Sequence, residues 1–105
     1  MIQKLNYSHL PAGWFPASAA ESKALHDELQ KELPQGHLLF GKDVEVVAHR
    51  DGATDDILVR HVDKSERYTV IHLTWSSQQE GDALHPSVEM DGSWEDFLAY
   101  EQEFE

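Results

Sequence analysis

Residues 68–75 read Tyr-Thr-Val-Ile-His-Leu-Thr-Trp. In an extended chain successive side chains point to opposite faces. Tyr68, Val70, His72 and Thr74 then share one face, and Thr69, Ile71, Leu73 and Trp75 the other. Both faces carry large apolar groups, a pattern that suits the interior of a sheet and not an edge. The run predicts a central strand, and the rest of the chain has to be arranged around it.

Two shorter runs precede it. Val44–Arg50 (VEVVAHR) alternates in part, and Asp51-Gly52 after it supplies turn chemistry. Ile57–Val62 is rich in β-branched residues and is followed by the polar turn Asp63–Glu66. Short turns between consecutive strands predict an antiparallel meander.

Helices are expected on either side of it in sequence. Ser18 and Glu21 have capping-box spacing, and Leu25, Leu29 and Leu33 recur at four-residue steps with Ala24 beside them. Glu21, Asp27, Glu28 and Lys31 fall on the solvent side, and Pro34 and Gly36 end the helix. A second helix starts at Ser93, with Asp96 in capping position and Trp94, Phe97, Leu98 and Phe104 turned inward. Glu101, Glu103 and Glu105 oppose the helix dipole at its end, so the last turn is expected to fray. Residues 1–16 read as an irregular arm, because Pro11, Gly13 and Pro16 interrupt Tyr7, Leu10, Trp14 and Phe15. Residues 76–92 read as a long polar loop, with room at Val88–Met90 for a brief extended pairing. The expected fold is α+β: residues 1–105 as a single domain, with an antiparallel sheet of three to four strands. An N-terminal and a C-terminal helix pack on one face of it.

Charge narrows the function classes. Eight Lys and Arg stand against twenty Asp and Glu, a formal net charge of −12. Such a surface repels nucleic-acid phosphates and anionic lipid and favours a protein partner with a basic surface. Cysteine is absent, which removes disulfides, Cys-ligated zinc and thiol nucleophiles. No apolar run approaches the ~20 residues needed to span a membrane, and residues 1–10 show no basic-then-apolar leader. Cytoplasmic residence is the expectation that follows. Whether the chain is a monomer or a homodimer is not legible.

The stretch Tyr68–Glu80, YTVIHLTWSSQQE with HLTW at its centre, resembles a family of small bacterial proteins without an established activity. Gly36-His37, Phe40-Gly41-Lys42 and Asp55-Asp56-Ile57-Leu58 fit the same pattern. The resemblance runs from Gly36 through the last helix and leaves the N-terminal arm outside. It implies a small α+β protein and supplies no mechanism.

Seven histidines invite a search for a metal site: His9, His26, His37, His49, His61, His72 and His85. No pair has HExxH spacing, and His49, His61 and His72 lie on successive strands at different heights, so no metal is expected. Asp51, Asp55 and Asp56 crowd one turn, and Glu80, Asp82, Glu89 and Asp91 the long loop. DGATDD lacks the order of a calcium loop, so solvated turns are expected. Ser76 and Ser77 have no nucleophile-elbow context, and neither a phosphate loop nor a dinucleotide glycine pattern is present, so no catalytic residue and no cofactor is assigned.

His72 is the most informative side chain, because it interrupts the most apolar strand. A polar group there needs a partner, either a backbone carbonyl or a nearby Asp or Glu in a substantially buried setting. The alternative is a wall of a small polar pocket. The candidate binding residues are therefore His72, Thr74, Trp75 and Glu80, with His49 and His61. Three functions remain open: an acidic protein-binding or accessory domain, a small-molecule-binding domain or minor enzyme with its pocket at His72, and an immunity- or inhibitor-like protein that covers a basic toxin or enzyme.

Overall fold

The computed structural model describes residues 10, 13–50, 56–63, 66–74, 81 and 85–102. Its elements run β1 (Trp14–Pro16), α1 (Ala19–Glu32), β2 (Val44–Arg50), β3 (Asp56–His61), β4 (Tyr68–His72), β5 (Ser87–Gly92) and α2 (Trp94–Gln102). All strands join one sheet in chain order, β1-β2-β3-β4-β5, and every neighbouring pair is antiparallel.

The sheet has five strands, not three or four. β1 lies at the end of the segment that reads as an irregular arm, whereas β5, at the end of the expected polar loop, bears out the pairing expected at Val88–Met90 and extends it to Ser87–Gly92. β1 is too short and β5 too polar to show a strand's alternation, and each pairs on one side only and leaves much of its side-chain surface to solvent. β4, paired on both sides, is an interior strand as expected, but β3 is the middle one and β4 ends at His72.

The helices lie on opposite faces of the sheet, and not together on one. Leu25, Leu29 and Leu33 of α1 pack with Val44, Val46, Ile57, Val59, Ile71 and Leu73. Phe97 of α2 packs with Trp14, Val47, Ala48, Leu58, Tyr68 and Val70, with Trp94 and Leu98 against them. Ile57 and Leu58 are sequence neighbours on one strand and belong to different clusters, as pleating requires. Three strands with apolar groups on both faces need a cover on each side.

Helix starts follow the sequence. In α1 the Ser18 side chain accepts from the Glu21 N–H, and the Glu21 carboxylate accepts from the Ser18 N–H. Ser93 and Asp96 repeat the exchange at α2. Leu33 is extended, as the residue before Pro34 prefers, and α1 stops there. Two expected facings of α1 are reversed. Ala24 is exposed, and Glu28 is buried.

One irregularity places side chains. Val46 pairs with Val59 and Ala48 with Leu58, so Val47 is an extra residue in β2. This bulge shifts the alternation by one residue. Val44 and Val46 face α1; beyond the bulge, His49 faces α1 and Arg50 faces α2. Without it Arg50 would point to the α1 side.

Candidate functional site

Where the end of β2, the start of β3 and the end of β4 meet α2, five side chains from five elements form a continuous polar chain. Its outer end is His72. The imidazole Nδ1 lies 2.7 Å from Asp56 Oδ1, and the two residues are directly paired across β3 and β4. A carboxylate oxygen accepts, so Nδ1 carries a proton towards Asp56. Asp56 Oδ2 accepts from Arg50 Nε at 3.0 Å. The same guanidinium donates twice to Glu101, from Nη1 to Oε1 at 3.1 Å and from Nη2 to Oε2 at 2.9 Å. The Trp14 indole N–H donates to Glu101 Oε1 at 2.7 Å, and Arg50 Cζ stands 4.7 Å from the centroid of the Trp14 ring.

The outer end of this chain is half exposed and its inner end buried. The Glu101 side chain is 7% exposed, Asp56 21%, Arg50 26% and His72 47%. Glu101 and Trp14 are both buried: Glu101 contacts a guanidinium that offsets much of its desolvation cost, and Trp14 is braced edge-on against Phe97 at 5.3 Å. The hydrogen bonds to Glu101 and Asp56 hold Arg50 firmly in its charged form. Beside them the Tyr100 phenol titrates above its ordinary range, through burial first and then through the negative charge of Glu89, Asp56 and Glu101. Chemically this is a half-exposed imidazole oriented by a carboxylate.

His72 therefore has the nearby carboxylate expected of it, but its ring is not buried. β4 ends at this residue, so the imidazole lies at the end of the sheet and not in its interior. Thr74 does not join it: Thr74 follows the strand end, is exposed, and its backbone N–H donates to the buried Glu32 carboxylate on the α1 side at 2.9 Å. Trp75 and Glu80 lie outside the described residues, as do Asp51, Asp55, Ser76, Ser77, Asp82 and Phe104.

The other candidate histidines do not converge with His72. His49 faces α1, with Nε2 3.2 Å from Glu21 and its ring 6.4 Å from that of the exposed Phe15. His61 also faces α1, but at the far end of β3, four residues from Ile57, the partner of His49; at strand rise that is about 13 Å away. Its Nε2–H donates to Thr69 Oγ1 at 2.8 Å, and the Thr69 hydroxyl donates to Asp91 Oδ1 at 2.7 Å. Arg67 closes the far side of Asp91 with bonds of 3.0 and 2.7 Å. His61 and Thr69 are fully enclosed, and burial, helped by Arg67, pushes the His61 imidazole below its ordinary range. His37, also buried, is spent on the backbone: Nε2–H donates to the Pro86 carbonyl at 2.7 Å and Nδ1 accepts from the Leu39 N–H at 3.0 Å. Among the described residues no three His, Asp or Glu side chains are grouped as a metal would need.

A concave surface lies elsewhere, between α1 and β2. A groove of about 540 Å³ runs beside Asp43–Val46 under Lys23 and His26, and a hollow of about 240 Å³ continues it towards Pro16 and Ala17.

Sequence reasoning found His72 and counted Asp56 among turn carboxylates, but missed Arg50, Trp14 and Glu101 as its partners. The available signal was the double valine in VEVVAHR, which breaks the alternation and marks the bulge that turns Arg50 towards α2. No protein-family model, no curated protein and no solved structure significantly matches this chain.

Proposed function

We propose that the chain is a protein-binding domain without catalysis of its own, and that its partner presents a basic surface. The carrying observation is the concave surface between α1 and β2, with Asp43 and Glu45 along it, on a chain of net charge −12. A field of that sign raises the encounter rate with a cationic protein and disfavours anionic ones. An immunity- or inhibitor-like protein that covers a basic toxin or enzyme is one form of this reading. The resemblance to small bacterial proteins, and residence in the cytoplasm, belong with it.

A second reading is supported by the His72–Asp56 pair. An oriented, half-exposed imidazole suits a small-molecule site or proton transfer. Against it, the inner members of that chain, Glu101 and Trp14, are buried and engaged with each other, as in a structural clasp.

Affinity capture with the tagged full chain from its source cells separates the two. The expected result is a stoichiometric partner with a basic surface that is released at high salt and retained by His72→Ala. Absence of any stoichiometric partner refutes the protein-binding reading. Loss of the partner in a folded His72→Ala chain transfers the function to the second site.

A further inference from the structure

β2 has seven residues, and β1 pairs with only its last three. The Ala17 N–H donates to the Val47 carbonyl at 3.0 Å, and the chain then turns into α1. Among the described residues no strand continues along Val44–Val46 on that side. The stretch is bordered instead by one stripe of α1, Ala19, Ser22, Lys23 and His26, at i, i+3, i+4 and i+7. Ala19 and Ser22 are small, and they keep the helix from filling the space beside the strand. Ser22 is tied to it by a single bond from its hydroxyl to the Val46 carbonyl at 2.7 Å. The exposed Val62 stands at the rim of the groove.

The two open edges of the sheet are not equivalent. In β5, Met90 pairs with Val70 and Val88 with Ile71, so Glu89 is an extra residue. That bulge interrupts the ladder that an added strand would need. Val44, Glu45 and Val46 instead pair in unbroken register with His61, Arg60 and Val59. The chemistry of their edge is acidic. Asp43 and Glu45 border the groove; Glu45 accepts from Arg60 at 3.5 Å and stays half exposed, and the ammonium of Lys23 is held by Asp27 at 2.9 Å.

We infer that the Val44–Val46 edge is a strand-addition site for an extended basic segment of the partner, which lies in line with β1 and is walled by α1. This rests on the protein-binding reading above. Backbone pairing supplies the attachment, and alternate side chains the selectivity. Val44 and Val46 face α1 and Glu45 faces the other way, so the segment carries small apolar residues on the α1 side alternating with Lys or Arg opposite Glu45.

The probe is an acetylated, amidated Val-Lys-Val-Lys-Val-Lys hexapeptide, titrated into the isotopically labelled full chain and followed by amide NMR shifts. Saturable shifts are expected at Val44, Glu45, Val46 and Ser22, with the β5 amides unmoved. Glu45→Lys weakens binding at least fivefold, and the same peptide N-methylated at alternate amides binds at least tenfold more weakly. Equal binding of the methylated peptide overturns the proposal, because charge alone then explains the affinity. Shifts centred on β5 overturn it too, as does self-association that moves the Val44–Val46 amides without peptide and assigns the edge to a second copy. Ser22→Tyr fills the groove: a captured partner that still binds this variant removes the site while the protein-binding reading stands. A chain that binds the peptide as expected but captures no partner keeps the site and loses that reading.

Discussion

The Trp14 indole N–H and the Glu101 carboxylate meet at 2.7 Å across 87 positions of sequence. The contact joins the first strand to the last helix, and Arg50 completes it with two bonds to the same carboxylate. Glu101→Ala should leave a guanidinium and an indole N–H without their buried acceptor and cost about 3 kcal/mol. Trp14→Phe keeps the aromatic packing and loses one donor, so it should cost less than Glu101→Ala. Denaturant unfolding of both variants measures this. A Glu101→Ala loss under about 0.5 kcal/mol would show that the clasp contributes nothing.

His72→Ala is expected to cost below about 1 kcal/mol, because the ring is half in water and exposed ion pairs contribute little. This is less than a buried histidine on an interior strand would cost. Nitrogen NMR of the neutral ring should report the proton on Nδ1, facing Asp56, and Asp56→Asn should shift the tautomer population. A protonated Nε2 in the neutral wild-type ring contradicts the geometry.

His61 gives a pH dependence with a definite sign. Burial depresses its folded-state pKa below the ordinary 6.5, so the unfolded chain binds the proton more readily. The His61 contribution is complete above about pH 6.5 and declines as pH falls from there towards the lower folded value. Melts of wild type and His61→Gln at closely spaced pH values from about 8 to 5 should show a stability difference that narrows on the acidic side. Asp91, also depressed, acts in a lower window, below the ordinary carboxylate value of 3.8. A difference between the two chains that is constant with pH, or widens in acid, rejects this account.

Leu29 is fully enclosed at the centre of the α1 contact with the sheet. Leu29→Ala should cost about 2–4 kcal/mol through the cavity it leaves. A denaturant midpoint that implies less than about 1 kcal/mol would mean that α1 collapses into the space or does not pack as described.

What could be read from the sequence was local. Ser18 with Glu21 and Ser93 with Asp96 announce both helix starts, because a capping box spans only four residues. The leucines of α1 and the β-branched runs of β2 and β3 announce faces through their period. Trp14–Pro16 is a strand by virtue of a partner elsewhere in the chain, and of Ser87–Gly92 only Val88–Met90 was legible as an extended pairing. Glu28 reads as solvent-facing because glutamate usually is, yet it lies on the same side of α1 as the leucines, where tertiary packing encloses it. At the candidate site His72 was legible as a polar break in an apolar strand. Its connection to Arg50, Glu101 and Trp14 depends on the bulge at Val47 and on long-range closure, and neither leaves a spacing to read.

The order of strands in the sheet is the order in the chain, and this has a kinetic consequence. β2, β3 and β4 are joined through residues 51–55 and 62–67, so each of these pairings closes a short loop and loses little chain entropy before contacts form. β1 is separated from β2 by the whole of α1, and β5 from β4 by residues 73–86, so the two outer strands wait on longer closures. A refolding chain should assemble the three inner strands first, and it exposes both sides of that ribbon until the outer strands and the Trp14–Glu101 contact arrive. The groove beside Val44–Val46 is thus the part of an early, wider opening that β1 never covers.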